Sequence, residues 1–346
     1  MSTITIKQLA QELNLSAGTV SKALKDSHEI SAETKKRVRE MAKDLDYVPN
    51  PYASSLRRRK SKTIAVVLPD IADSFFSAAI KGIETVAQDK GYHVLVYLTH
   101  ELSYKECSIL NDFKSGRVDG VLISVSRETT ENHHVNELQA NGIPVVFFDR
   151  VLPEINTAKV VTNDFEAARI ATKHLIEKGC HRIAYLSFSR TLSISMDRLE
   201  GYKQALCDAG MEHAIDVVFC CNDEDENNRL IKEALSRQSK PDGILASAES
   251  LTIVAYHVCH EMGIKIPDDI KIVSFSNLAT ALILNPSLTT ISQPAFEMGE
   301  SAALLLFKSL EKNNFVLEGE QIVIPSVLME RQSTACSGVP GTELNA

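Results

Sequence analysis

The run Thr5-Ile6-Lys7-Gln8-Leu9-Ala10, continued by Leu13-Asn14-Leu15-Ser16-Ala17-Gly18-Thr19-Val20-Ser21-Lys22-Ala23-Leu24, sets how this 346-residue chain folds at its start. Thr5 with Gln8 three positions on is a capping box. Ile6, Leu9, Ala10 and Leu13 then share one face at helical spacing. Asn14-Leu15 makes a short turn, and Ser16 caps a second helix whose inward side is Val20, Ala23 and Leu24. After a loop over residues 26–30, Ser31 caps a third helix carrying Val38, Met41, Ala42 and Leu45 inward. Two short helices joined by a tight turn and braced by a third predict a helix-turn-helix unit. Its core is small and poor in aromatics, so marginal stability is expected.

Downstream, Asn50-Pro51 is another start signal, a capping Asn and then Pro at the first helical position. The segment that follows, Tyr52-Ala53-Ser54-Ser55-Leu56-Arg57-Arg58-Arg59-Lys60, is strongly basic. A helix of about two turns does not hold alone in water. The segment either folds when an anionic surface and a partner helix complete it, or serves as a plain basic linker. Charge sharpens the contrast. Residues 1–62 hold 13 Lys+Arg against 7 Asp+Glu, a balance of +6, whereas the rest of the chain holds 24 against 38, a balance of −14. A basic head on an acidic body is the asymmetry of a protein whose one end meets a polyanion.

Composition excludes several classes. Hydrophobic residues make up 44% of the chain, too many for a fully disordered protein. No run approaches the roughly 18 apolar residues of a membrane span, so no membrane partner is expected. The first residues lack the apolar stretch of a secretory signal, so the expected compartment is the cytoplasm. Seven cysteines without a C-x-x-C argue for reduced thiols rather than a disulfide frame or structural zinc. No G-x-G-x-x-G, Walker-type or G-x-S-x-G run occurs, so no cofactor, no metal and no catalytic residue is expected. His257-x-x-His260-Glu261 lacks the order of a zinc peptidase motif and reads as a surface or core pair. His133-His134 reads as solvated at a polar helix start.

From residue 63 onward, short apolar strands alternate with helical stretches, the pattern of parallel sheets covered by helices. Strands are expected at 63–69, 93–98, 120–124, 144–149, 182–187, 216–220, 243–247, 270–274 and 321–329. Helices are expected at 74–90, 104–116, 131–141, 165–178, 196–209, 250–262 and 296–312. Two similar halves meet near 149–163, which predicts two Rossmann-like lobes.

These residues carry a resemblance over nearly the whole chain, from Ile4 to about Arg331. The head motifs are Thr5 to Ala10, Leu15 to Leu24, and Tyr47-Val48-Pro49-Asn50-Pro51-Tyr52-Ala53 with Leu56. The body motifs include Phe75-Phe76, Gly82-Ile83-Glu84, Arg117-Val118-Asp119-Gly120, Arg198-x-x-Gly201-Tyr202 and Gln293-Pro294. Together they resemble the lactose-repressor (LacI/GalR) family. The resemblance implies an all-α helix-turn-helix head with a hinge helix, and an α/β periplasmic-binding-protein-like core of two lobes that the chain crosses between three times. The implied division is 1–48 for the DNA-binding domain, 49–61 for the hinge, 62–331 for the core and 332–346 for a tail. Within the core, lobe 1 takes about 62–160 and 291–319, and lobe 2 about 161–290 and 320–331.

A recognition helix enters the major groove by its N-terminal end. There the resemblance gives base readout to Ala17, Gly18 and Lys22. Lys22 can donate to guanine, and Ala17 can touch a thymine methyl. Gly18 offers no side chain and costs a helix about 1 kcal/mol relative to Ala. Thr5, Ser16, Thr19, Ser21, Asn50 and Arg57 complete the expected DNA contacts, the small hydroxyls suiting phosphates. Direct readout this thin leaves part of the specificity to DNA shape. The resemblance makes Leu56 the minor-groove wedge, pushed into a flexible central step of a pseudo-palindrome; its other role would be hinge packing. Leu56→Ala should therefore lower affinity for operator far more than for random duplex, in parallel titrations. Equal losses on both would remove the wedge.

A ligand is expected between the lobes at the carboxyl ends of the strands. Loops there carry Phe75, Phe76, Asp149, Arg150, Asn163, Arg198, Glu224, Glu249 and Ser276. Arg198 is the leading candidate, a fork donor for a hydroxyl pair or carboxylate, with an ion pair to Asp197 or Glu200 as its other role. Phe75 and Phe76 suit a flat sugar face or the core. Many relatives have Asp where Ser276 stands, and Glu249 stands one methylene longer than another such Asp. The expected function is a homodimeric transcriptional regulator, not an enzyme, that binds double-stranded operator DNA and answers to a sugar or glycan-fragment effector. The alternatives are a sugar-binding module or enzyme with an incidental basic head, and a regulator that has lost its effector.

Overall fold

A computed structural model of the chain describes residues 4–47, 60–221, 223–312 and 315–335. By internal contacts it divides into two units, Met1–Ser61 and Lys62–Ala346. The expected hinge helix, with Asn50, Leu56 and Arg57, lies outside the described residues.

In the first unit, each helix starts where a small polar side chain satisfies otherwise unpaired backbone N–H groups. Thr5 and Gln8 close both arms of the capping box on α1 (Ile6–Glu12). Ser16 Oγ accepts from Thr19 N at 3.0 Å to start α2 (Ala17–Leu24). Ser31 Oγ accepts from Thr34 N at 3.2 Å to start α3 (Ala32–Asp44). Asn14 takes φ +52°, a left-handed conformation that Asn tolerates, and so makes the turn between α1 and α2. The core is Leu9, Ala10, Leu13, Val20, Ala23, Val38 and Ala42, all small aliphatic residues.

The second unit is two α/β lobes. The first sheet runs β11-β5-β4-β3-β1-β2 and is parallel throughout. It is built from β1 (Thr63–Leu68), β2 (His93–Leu98), β3 (Gly120–Ile123), β4 (Val145–Phe148), β5 (Lys159–Thr162) and β11 (Gln321–Ile324). All six residues of β1 are buried, as expected of a strand covered on both faces. One face packs against α4 (Ser74–Asp89) and the late helix Ala295–Glu311. The other meets α5 (Ser103–Phe113) and α6 (His133–Ala140).

The second sheet runs β12-β10-β9-β8-β6-β7, with only β12 antiparallel. Its strands are β6 (Ile183–Ser187), β7 (Asp216–Phe219), β8 (Gly243–Ala246), β9 (Lys271–Phe275), β10 (Thr289–Ser292) and β12 (Val327–Met329). α7 (Asp164–Glu177) and α8 (Ser193–Asp208) cover one face; α9 (Glu224–Leu235) and α10 (Glu249–Met262) cover the other. Ala295–Glu311 is then α11. One apolar cluster runs from Phe147, Leu152 and Ile155 of the first lobe to Phe188, Leu192 and Ile194 of the second, joining the lobes.

The structure departs from the sequence expectations at four places. The stretch expected as one strand, 321–329, is two strands in different sheets, so the third crossing falls after Ile324 rather than near 320. Lys159–Thr162 and Thr289–Ser292 are strands too short and too polar to stand out by pattern. Glu224–Leu235 is a helix whose acidic first turn, Glu224-Asp225-Glu226, reads as loop unless the favourable field of a helix N-terminus is counted. The expected tail is no tail at its start. Ser333 and Thr334 are fully buried, with Ser333 Oγ donating to Ile272 O at 2.7 Å and accepting from Thr289 N at 2.8 Å.

Candidate functional site

The carboxyl ends of strands from both sheets converge on one cleft. After β1, Asp73 caps α4 by accepting from Phe75 N at 2.9 Å, and Phe75 and Phe76 follow on the first turn. After β4 come Asp149 and Arg150; from the second lobe come Phe188, Arg198, Glu249, Phe275, Ser276, Asn277 and Gln293. The cavity they line is narrow, about 30 Å³. It lies next to an open groove of about 730 Å³, with which it shares Asp149 and Ile194. That larger volume is within the range of small-molecule sites.

Arg198 is buried, 3% exposed, and pairs with neither Asp197 nor Glu200. Its Nε donates to Asp164 Oδ1 at 2.6 Å, and its Nη1 donates to Ser247 O at 2.7 Å. The guanidinium stacks on Phe275, 4.0 Å from the ring centroid. Nη2 has no partner among the described residues. Arg150 is held by two 2.9 Å bonds from Nη1 to Glu101, between the rings of Phe76 and Phe188, and its Nε makes no hydrogen bond among the described residues but stands 3.8 Å from Asp149 Oδ2 as an ion pair. Gln293 Nε2, like Arg198 Nη2, has no partner among the described residues. A buried donor left unsatisfied costs about 1–3 kcal/mol, so a set of them in one cleft is a prepared receptor for oxygen acceptors.

Glu249 joins the two lobes. Its Oε1 accepts from Ser74 Oγ at 2.7 Å and from Ser74 N at 3.3 Å, at the start of α4. Its Oε2 accepts from Ser276 Oγ at 2.8 Å. The extra methylene of Glu249 and the short hydroxyl of Ser276, both departures from the family pattern, thus form one bridge across the cleft.

Asp149 takes φ +60°, an uncommon conformation for a residue with a side chain and one that concentrates at functional sites. Burial pushes its pKa up to about 7, outweighing the opposing fields of Arg150 and Arg198. Burial and the charge of Glu249 also raise Asp73. Between the ordinary carboxylate range and about pH 7, folded Asp149 keeps a proton that the unfolded chain releases, so its contribution to stability falls as pH rises. Asp149→Asn should therefore gain on the parent by about 2–3 kcal/mol more at about pH 8 than at about pH 5, in urea unfolding of the body. A constant difference would show that Asp149 is ionised throughout.

Phe75, Phe76, Asp149, Arg150, Arg198, Glu249 and Ser276 are thus brought together, both Phe rings being buried in the lobe core as well as lining the cleft. Asn163 and Glu224 are not. Asn163 Oδ1 accepts from Ser326 N at 2.8 Å, tying the first crossing to the third. Glu224 is exposed on the first turn of α9. Sequence reasoning misses Asp73, Phe188, Asn277 and Gln293, and also Asp164, the partner of Arg198. Asp73 carries a signal in its capping position before Ser74-Phe75-Phe76, and Gln293-Pro294 stands among the motifs.

On the head, Ser16, Gly18 and Lys22 are exposed and Ala17, Thr19 and Ser21 half-buried, while Thr5 stands exposed at the start of α1. Lys22 forms an ion pair with Glu29, which must yield before the ammonium can reach a base. A Cβ on Gly18 would meet only Ser16 Oγ at 3.6 Å, so the fold itself does not demand glycine there.

Comparison with known proteins places these two units. Residues 61–332 match the family model described as periplasmic binding proteins and sugar binding domain of LacI family. Residues 5–50 match that of bacterial regulatory proteins, lacI family. The chain is 34% identical over 330 residues to the ribose operon repressor of Halalkalibacterium halodurans, covering 95% of this chain and 97% of that one. Among solved structures, a LacI family transcriptional regulator from Enterococcus faecium with bound ribose is 28% identical with a TM-score of 0.71, covering 79% of this chain and 98% of that one. The transcriptional regulator CelR in complex with cellobiose is 26% identical with a TM-score of 0.71, covering 95% and 99%.

Proposed function

The chain belongs to the LacI family of bacterial regulatory proteins, and from that premise we propose that it is a cytoplasmic transcriptional regulator, a homodimer on a pseudo-palindromic operator, controlled by a sugar in the cleft. The observation that carries the effector is the pair of buried donors without a partner among the described residues, Arg198 Nη2 and Gln293 Nε2, set beside Arg150 and among Phe75, Phe76, Phe188 and Phe275. Aromatic faces with a few fixed polar groups suit a sugar ring and its hydroxyls. The ribose named for two relatives makes ribose the first sugar to test. The cavity is narrow, and parting of the lobes or release of Ser74 by Glu249 would give a sugar room. The effector then shifts DNA binding by its differential affinity for the two lobe arrangements.

Dimerisation doubles a readout that one head makes too short. It also offers cover to Leu282 and Ile283, 68% and 79% exposed on the second lobe, and to Leu95 and Val96 on the edge strand of the first. Lys22, Ala17 and Gly18 would face the bases, with Ser16, Thr19, Ser21 and Thr5 on phosphates; Asn50, Leu56 and Arg57 enter through the family resemblance. A second reading, a regulator whose cleft no longer takes an effector, is favoured by the Glu249–Ser74 bridge, which ties the two lobes together across the cleft.

Selection of bound duplexes from a random library by the full-length protein, with and without ribose or cellobiose, tests the proposal, paired with thermal unfolding in each sugar. Enrichment of a pseudo-palindrome and saturable stabilisation by a sugar are expected. A palindrome with no stabilisation by any sugar establishes the second reading. No enriched sequence at low salt under any condition overturns the regulator.

A further inference from the structure

On the first lobe, away from the residues that enclose the cleft, Cys107 on α5 and His133 and His134 at the start of α6 place a thiol and two imidazole nitrogens within 4.8 Å of one another. His134 is not solvated, as its position in sequence suggested, but 5% exposed. Its Nε2 lies 2.8 Å from Glu106 Oε1. Glu106 is fully buried and also accepts from Ser126 N at 2.7 Å and from Thr129 Oγ1 at 3.0 Å. A carboxylate accepting from all sides puts the His134 proton on Nε2. Nδ1 is then a bare lone pair, buried and without a partner among the described residues. Glu131 stands beside the group, its Oε2 lying 3.2 Å from His133 Nδ1. Nothing in the regulator's chemistry uses these residues.

We propose that Cys107, His133 and His134 form a binding site for a divalent transition metal, zinc by its donor set, with Glu131 as the fourth ligand. One thiolate, two imidazoles and a carboxylate match zinc's preference for four mixed sulfur, nitrogen and oxygen donors at about 2.0–2.3 Å. Those bond lengths require ligand atoms about 3.3–3.7 Å apart, within reach of a group already inside 4.8 Å and of the exposed, adjustable side chain of His133. The buried Glu106 then plays the part of the carboxylate behind a ligating histidine, fixing its tautomer and ring plane. Glu106, Glu131 and Glu137 lie near Cys107 and give the place a field that favours a cation. Binding displaces the thiol proton to solvent. Because Glu106 also holds Ser126 and Thr129, the metal would fasten a loop that forms one wall of the open groove.

The test is titration of cobalt(II) into the reduced, chelator-treated full-length protein. One equivalent should bring up a thiolate-to-cobalt charge-transfer band and intense tetrahedral visible bands, both removed by zinc. Cys107→Ser should abolish the charge-transfer band, and His133→Ala, which removes a ligand outright, should weaken binding by more than the roughly 10–100-fold that loss of a residue merely supporting a ligand costs. The double variant Cys207→Ser/Cys221→Ser, which removes two exposed thiols, should leave the band intact. Circular dichroism of each variant verifies its fold. Absence of the band in the parent protein, or its survival in Cys107→Ser, overturns the site.

Discussion

Arg198→Ala is expected to destabilise the body by about 3–5 kcal/mol and to abolish sugar binding, the larger of two effects that the cleft geometry predicts. The stability loss comes less from the missing guanidinium than from what it leaves behind. Asp164 is 4% exposed, and without Arg198 Nε its side chain retains the Thr162 hydroxyl at 2.9 Å as its hydrogen bond among the described residues. A buried carboxylate with so little compensation is among the few causes of losses this large. The double variant Asp164→Leu/Arg198→Met replaces both charges by apolar groups and should recover most of the stability, because a buried pair is worth little net against well-packed hydrocarbon. It should not recover sugar binding, since Nη2 is gone. Urea unfolding of the three variants, with calorimetric titration of ribose, separates the two roles. A loss below about 1 kcal/mol for Arg198→Ala would mean that water reaches Asp164 readily.

Gly201→Ala should cost about 3 kcal/mol, against the usual expectation for a helix interior, where the same change gains up to about 1 kcal/mol. A Cβ on Gly201 would stand 2.0 Å from the Phe165 carbonyl oxygen, so α7 and α8 touch backbone to backbone there. No side chain can swing aside; the helices must part. Phe165 adjoins Asp164, and Gly201 lies one turn beyond Arg198, so parting them also stretches the 2.6 Å Asp164–Arg198 bond. Sugar affinity should fall with stability. The first lobe supplies the control. A Cβ on Gly299 would lie 2.0 Å from the Ala79 carbonyl oxygen where α11 crosses α4, and Gly82 meets Phe296 in the same way. Gly299→Ala should cost a similar amount without touching the Arg198 pair. Equal losses of affinity in the two variants would show that lobe stability, not the pair, governs binding.

Much of the chain is legible from its residues alone. The three helix starts of the head can be read because each cap acts over three residues: Thr5 on Gln8, Ser16 on Thr19, Ser31 on Thr34. Most body strands can be read because both faces are buried, which forces continuous apolar runs such as Thr63–Leu68. The cleft is legible as a set of loops at strand ends, and chemistry singles out Arg198, Asp149 and Glu249 within it. Asn163 and Glu224 show the limit of that approach. Both stand where cleft residues are expected, yet one is spent on Ser326 and the other faces solvent.

The caps, the helical and strand periods and the charge split between head and body follow from the amino-acid order, and with them the two-part architecture. These are local quantities, set by residues a few positions apart. Tertiary packing was needed to pair Arg198 with Asp164, 34 positions away, and to bring Glu249 to Ser74, 175 positions away. Packing also parted residues 321–329 between two sheets, buried Ser333 and Thr334, and turned His134 toward Glu106, 28 positions back. Such pairings are worth their energy only once burial removes water from both partners, and burial is a property of the packed chain rather than of any short stretch of it.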